Sequence, residues 1–223
     1  ETLGSVTYIC TDKTGTLTKN KMHVEDVFVN GQLVERNNIT TQATQAEMNL
    51  LLHAFALNND AAEDDEKIIK GDSTEVALME VARDQHIQPG SWPRLAEIAF
   101  DAERKLMTTF HRKDDKIISL TKGAPDILLQ RCENIDIPAI EKQVDDMAGK
   151  GHRILGFAYR WWDELPAEPF SEKHESRLQF LGLAGIIDPP REEVFDAVAE
   201  CKSAGIVPVM ITGDHPLTAQ NIA

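Results

Sequence analysis

The run Asp12-Lys13-Thr14-Gly15-Thr16 sets a carboxylate beside a cation, two hydroxyls and a glycine, directly after the apolar stretch Val6-Thr7-Tyr8-Ile9-Cys10. A short β-branched run that breaks at once into a polar turn reads as a buried strand feeding a loop. A carboxylate so placed can attack a phosphorus atom if a hard cation offsets the repulsion between two anions, and Mg2+ with its oxygen ligands suits that task. A plain turn cap would explain an Asp-Lys-Thr triplet alone; five such residues at a strand end favour chemistry. A second set lies far along the chain. Phe100-Asp101-Ala102-Glu103-Arg104-Lys105 puts an aromatic face close to two cations, which suits a ligand flat at one end and anionic at the other. In Lys122-Gly123-Ala124-Pro125 the glycine permits close backbone approach and the proline can open a helix. Asp72 and Glu75 stand in the register of a capping box, and Arg153 falls at a strand start.

The elements that position these residues follow two grammars. At the ends of the chain, Leu181 to Ile187 reads as a strand and Asp188-Pro189-Pro190 as a helix start, with Asp188 as its cap. Val194, Ala197, Val198 and Cys201 form that helix's buried stripe, and Gly205 closes it. Val207 to Thr212 is another buried strand, which ends in Gly213-Asp214, and Pro216 opens a further helix. Strand, helix, strand with near-continuous apolar strands marks a parallel α/β sheet, whose ligands bind at strand C-terminal ends. The middle differs. Val24 to Val29 and Gln32 to Arg36 make a hairpin about Asn30-Gly31, a type I′ turn sequence. Arg94 to Phe100, Leu106 to Arg112 and Lys116 to Thr121 read as further antiparallel strands, and helices fit Gln45 to Leu57, Ser73 to Gln85, Pro125 to Arg131 and Pro138 to Lys150. The acidic run Glu63 to Glu66 reads as a solvated loop. The expected fold is therefore α/β, with a partial parallel-sheet domain formed by 1–22 and 183–223. An α+β antiparallel-sheet domain, 23–182, is inserted after its first strand.

Composition bounds the partners. The chain has 223 residues, 42% hydrophobic and 27% charged, enough for a real core and ordinary for a globular protein. Lys and Arg total 23 against 37 Asp and Glu, and the net charge of −14 repels nucleic acid and anionic lipid. An anionic ligand must find a local pocket of cations and backbone N–H groups. Cys10, Cys132 and Cys201 are too far apart for a disulfide framework or a zinc site, which fits a reducing compartment. No run approaches the ~20 apolar residues that span a bilayer. A start without Met and an end at Ala223, two turns into a helical pattern, suggest an excised piece.

Asp12-Lys13-Thr14-Gly15-Thr16-Leu17-Thr18 resembles the phosphorylation motif of P-type ATPases, cation pumps that form an aspartyl phosphate. The resemblance runs on through Lys122-Gly123-Ala124-Pro125, Asp188-Pro189-Pro190-Arg191 and Thr212-Gly213-Asp214, in the family's order. It implies that 1–22 and 183–223 belong to a haloacid-dehalogenase-like phosphorylation domain and that the insert binds nucleotide. It implies Asp12 as nucleophile with Lys13 and Thr14 beside it, Asp12 and Thr14 toward Mg2+, and Thr212, Gly213 and Asp214 around the transferred phosphoryl group. Phe100 becomes the adenine platform and Lys105 and Lys122 nucleotide-site cations, with Gly123 between close backbones. Glu75 faces the adenine amino group, Arg153 reaches the phosphates, and Asp188 and Arg191 form a hinge near ribose and phosphates. Soluble phosphatases of similar fold carry a second Asp two residues after the nucleophile; Thr14 stands there instead, which lengthens the life of the phosphoenzyme. The implied parent is a membrane protein that hydrolyses ATP with Mg2+ to move cations, most like the calcium-pump branch. This portion lies on its cytoplasmic side, against transmembrane and actuator domains of the same chain. The chain lacks the family's later phosphorylation-domain lysine and acidic magnesium segment, so the fragment is expected to bind ATP without full turnover, and its partial α/β domain to pack imperfectly or self-associate. Two other readings stay open: a soluble phosphohydrolase with a large cap domain, and a nucleotide-binding module that catalyses nothing.

Overall fold

In the computed structural model, residues 6–42, 45–88, 90 and 92–211 are described. The chain begins with β1 (Tyr8–Asp12) and a wide helical turn over Lys13–Leu17, then forms the hairpin β2 (His23–Val29) and β3 (Gln32–Glu35). A short α1 (Ile39–Gln42) and α2 (Ala46–Leu57) lead to a two-stranded ribbon, β4 (Ala62–Glu63) and β5 (Ile69–Lys70), and to α3 (Ser73–Asp84). A meander follows, β6 (Arg94–Asp101), β7 (Leu106–Lys113) and β8 (Lys116–Gly123), then α4 (Pro125–Leu129), α5 (Ile137–Ala148) and β9 (Arg153–Trp162). The described chain closes with β10 (Gln179–Ile187), α6 (Glu192–Ser203) and β11 (Val207–Ile211).

Seven strands form one antiparallel sheet in the order β3-β2-β10-β9-β8-β7-β6. Local chemistry sets its turns: Asn30 and Gly31 take φ of 50° and 73°, the two positive angles that a type I′ hairpin needs. Alternation along the strands feeds two faces. Phe157 of β9 joins Leu51, Leu52 and Phe55 of α2 and Leu78 of α3 on one side, while its neighbour Ala158 packs with Leu128 of α4 on the other. Leu183 of β10 meets Leu129, Ile140 and Met147 on that second side. The sheet is thus buried between two helical layers, and truncating the fully buried Phe157 to Ala would cost about 3–5 kcal/mol.

A separate parallel pair joins the two ends, with Tyr8 opposite Val207 and Asp12 opposite Ile211. The antiparallel sheet and the parallel pair both match the expected architecture, but four details differ. Leu181 to Ile187 does not belong to the parallel sheet: β10 pairs antiparallel with both β2 and β9, and its apolar run reflects cover on two faces, which a central antiparallel strand shares with a parallel one. β1 and β11 are not buried, since Tyr8 is 64% and Ile211 58% exposed. The stripe of α6 is only half covered at Val194, Val198 and Cys201, and Ala197 is exposed. Asp188 does not cap α6, which starts four residues later with Arg191 at its cap position. The end of α6 does follow expectation. Gly205 at φ 75° lets its N–H reach Lys202 O at 3.2 Å and that of Ile206 reach Cys201 O at 2.9 Å, the Schellman pattern. The acidic run is a turn closing the β4–β5 ribbon, where Asp64 Oδ1 accepts the N–H groups of Glu66 and Ile68.

Candidate functional site

A cleft of about 510 Å3 opens where β6, β8, β9 and α3 converge, lined by Asp60, Thr74, Glu75, Phe100, Lys122, Gly123 and Arg153 among others. Five of the residues that the resemblance implies for nucleotide binding, Glu75, Phe100, Lys122, Gly123 and Arg153, therefore share one cavity. Phe100, near the end of β6, is 62% exposed, which a core phenylalanine would not be. Its ring is an open apolar face at the cleft wall.

Lys122 sits opposite in chemical character. It lies on the interior strand β8, only 6% exposed, and its Nζ donates to Glu75 Oε1 at 2.5 Å and to the backbone oxygen of Asn58 at 2.6 Å. Burial pushes the ammonium below the usual lysine range, while the Glu75 carboxylate pulls it back up. The capping box is half made. Asp72 caps α3 by accepting from Thr74 N at 2.9 Å, but Glu75 turns away to Lys122 and to Asp60 N at 3.2 Å. Arg153 starts β9 at the rim and donates to Thr74 Oγ1 at 3.4 Å.

Gly123 has a geometric reason. A Cβ there would stand 2.1 Å from Lys105 O and 2.7 Å from Leu106 Cδ2, so any side chain would prise the Phe100–Lys105 turn away from β8. Ala124 N adds a hydrogen bond to the same Lys105 oxygen at 3.1 Å. Lys105 is not among the residues that line the cleft; its Nζ stands 3.9 Å from Asp126 Oδ2.

Sequence reasoning missed Asn58. Its Nδ2 donates to Met107 O at 3.1 Å and Leu120 O at 2.7 Å, which locks the end of α2 to β7 and β8 and aims its carbonyl at Lys122. Asn59 Nδ2 holds Glu75 O at 2.8 Å. The signal was present in the sequence: two Asn and an Asp directly after an apolar helix are an unusual place to spend hydrogen-bonding side chains.

Asp12, Asp188 and Arg191 stand elsewhere. Asp12 is exposed at the C-terminal end of β1, and Gly15, at φ 77°, lies in the wide turn that follows. Two chain segments cross beside this turn and are tied together. Thr18 Oγ1 donates to the buried Asp188 Oδ2 at 2.5 Å, Lys19 N to Pro189 O at 3.0 Å, and Arg191 N to Leu17 O at 2.9 Å. Arg191 also donates from Nε to Thr18 O at 3.0 Å and from Nη2 to Gly15 O at 3.1 Å. Its guanidinium thus supports the loop after Asp12. The side chains of Lys13 and Thr14, and Thr212, Gly213 and Asp214 altogether, lie outside what is described. Among the described residues no group of three or more His, Cys, Asp or Glu is placed to hold a metal ion, and no helix is long and apolar enough to cross a membrane.

Comparison with known proteins agrees with the motif resemblance. The family described as "P-type ATPase, cytoplasmic domain N" matches residues 46–193. "Calcium-transporting ATPase 1" of Lactococcus lactis is 41% identical over 240 residues, covering all of this chain and 27% of that protein. "Calcium-transporting ATPase 1" of Bacillus cereus is 39% identical over 239 residues, again all of this chain and 26% of that protein. "Potassium-transporting ATPase alpha chain 2" of Cavia porcellus is 35% identical over 267 residues, with 26% of its length covered. The chain spans about a quarter of the length of the curated relatives it matches. With its motifs, its antiparallel sheet and its relatives in accord, the chain belongs to the P-type ATPase family, and residues 46–193 carry that family's cytoplasmic domain N.

Proposed function

We propose that this chain is the ATP-binding and phosphorylation portion of a cation pump of the calcium branch. The observation that carries the reading is the cleft itself, lined together by an exposed aromatic ring, a buried, carboxylate-bound lysine and an arginine at the rim. The donor set fits adenosine triphosphate. Phe100 offers a stacking face, Glu75 an acceptor for an exocyclic amine, and Lys122 and Arg153 positive charge toward phosphates. Two of the three relatives above bear calcium-transporting names, which favours calcium over potassium; the ion-binding residues belong to other parts of such proteins. Residues 23–187 form the nucleotide domain in this reading and the flanking segments part of the phosphorylation domain, with the boundary moved from 182 to 187 because β10 stays in the large sheet.

In the parent, an Asp12 carboxylate oxygen bonds the γ-phosphorus as the bond from that phosphorus to the bridging oxygen breaks, and ADP departs with the electron pair. Asp12 and Thr14 are the residues that would hold Mg2+, which supplies charge neutralisation when bound. Lys13 lies beside the nucleophile, Thr212, Gly213 and Asp214 would receive the phosphoryl oxygens, and Asp188 and Arg191 keep the loop after Asp12 in register. Lys105 acts from outside the cleft wall, on phosphates that extend past it. The parent sits in a membrane with this portion on the cytoplasmic side, in contact with its own transmembrane and actuator domains. The 223-residue chain alone binds ATP without turnover.

Calorimetric titration of ATP into the chain, and into folded Phe100→Ala and Lys122→Ala variants, tests the site. Binding weakened at least tenfold by each substitution is the expected result. Binding that neither substitution alters would remove the cleft as the nucleotide site.

A further inference from the structure

We infer that Glu175 is a positioning residue for the nucleotide cleft, acting through Arg104 on the turn that presents Phe100 and Lys105. The inference rests on the nucleotide reading above.

Glu175 lies in the connection between β9 and β10, just after a turn over Glu172–His174, and is 0% exposed. A carboxylate withdrawn from water is costly unless it is paired. Its Oε1 accepts from Arg104 Nη1 at 2.6 Å and from Thr108 Oγ1 at 2.7 Å. Each donor bonds onward to a strand that also carries a cleft residue, from the opposite face of the sheet in the case of Thr108. The other arm of Arg104, Nη2, donates to Ala99 O, one residue before Phe100. Thr108 Oγ1 is 2.9 Å from Thr121 Oγ1, one residue before Lys122. A single buried oxygen therefore gathers the backbone under the aromatic face and the strand that carries the buried lysine.

The Phe100–Lys105 turn needs such an anchor. From its own residues it receives only Asp101, whose Oδ1 accepts the N–H groups of Glu103 and Arg104, and the Lys105 N to Asp101 O bond at 2.6 Å. Phe100 has most of its ring in solvent, so packing does not fix it; the backbone does, and Arg104 holds that backbone from behind. Lys105 takes φ of 55°, a left-handed conformation that surrounding structure must impose. The second carboxylate oxygen of Glu175, Oε2, is buried and has no hydrogen-bond partner. A residue kept only for stability would not leave that atom unmet, since apolar side chains of similar volume fill such a place at lower cost.

Titration of ATP and of adenosine into the 223-residue chain and its Glu175→Gln and Arg104→Gln variants tests this, together with backbone amide spectra of the unliganded proteins. In folded Glu175→Gln we expect the Kd of both ligands to rise by about tenfold, because the adenine face is what moves, and the amide signals of Phe100 to Lys105 to shift. Adding Arg104→Gln should bring no further loss, since both act through one contact. A merely structural Glu175 would lower the melting temperature and leave the Kd of the folded variant unchanged; that result, or losses that multiply in the double variant, overturns the inference. Arg104→Lys keeps a charge for Glu175 and removes the second arm to Ala99 O, so it decides the matter if Glu175→Gln does not fold: a rise of about threefold is expected, and an unchanged Kd overturns it. If the unsubstituted chain binds no ATP, the nucleotide reading falls by itself, and unshifted Phe100 to Lys105 amides in Glu175→Gln would sink the clamp separately.

Discussion

Substituting Glu75 by Gln removes the charge that accompanies Lys122 while nearly preserving shape. Lys122 Nζ then has a neutral amide beside Asn58 O at 2.6 Å, in a place 6% open to solvent, so the ammonium loses its nearest countercharge and keeps only the more distant Asp60. Breaking a buried ion pair from one side typically costs 3–5 kcal/mol. Here the Glu75 side chain is 15% exposed at the cleft edge and water can reach the pair, so about 2–3 kcal/mol is the fitting expectation. The lysine also answers by losing its proton more readily, since burial already pushes its pKa down and the carboxylate that raised it is gone. The informative comparison is Glu75→Gln with Lys122→Met. If the single variant is unstable because a charge is stranded, replacing that charge by an apolar chain of similar length recovers most of the loss. Urea unfolding at pH 7.5 measures both, with the slope checked for equality. ATP binding should separate from stability, absent in the double variant although its fold has recovered. A double variant as unstable as the single one would refute the reasoning, because the cost would then lie in the hydrogen bond from Asp60 N or in the start of α3.

Two further outcomes can be checked. His111 on β7 is buried, with Nε2 2.8 Å from Thr109 Oγ1 and Nδ1 3.2 Å from Trp92 O, and burial lowers its pKa from 6.5 to about 4. The unfolded chain binds the proton more readily, so the contribution of neutral His111 is intact above pH 6.5 and is lost as pH falls toward 4. The loss amounts to about 3 kcal/mol, and a His111→Gln variant should show a flatter stability profile in that window. The parallel pair of strands exposes Tyr8, Ile9, Val207, Val209 and Ile211 together, so sedimentation should reveal concentration-dependent association that Tyr8→Ser with Ile211→Ser reduces; a monomer at all concentrations would count against it.

The sequence made helices and turns legible where one local rule decided them. Asp72 before an apolar-periodic run placed the start of α3, and Asn30-Gly31 placed the first hairpin. Leu181 to Ile187 could not be sorted in the same way, because a strand covered on both faces reads as a continuous apolar run whichever way its neighbours point. Asp188 looked like a helix cap for a similar reason: its neighbours in sequence suggested one partner, and its partner in space, Thr18, is 170 residues away. The candidate cleft was readable as motifs around Phe100, Lys122 and Arg153. The residues that hold it together were not. Glu175 sits in a polar stretch without period, and contacts 71 and 67 residues away, to Arg104 and Thr108, explain why it is inside.

The two chain crossings between the large sheet and the parallel pair carry a mechanical consequence. One peptide link alone would swivel freely, as a rope does. Here two run side by side and are riveted by the Thr18–Asp188, Lys19–Pro189 and Leu17–Arg191 contacts. Such a joint resists torsion while it still bends, like the leaves of a door on a common pin. Any relative movement of the large sheet and the parallel pair must bend about these ties or strain them, so the segments before β2 and after β10 move together.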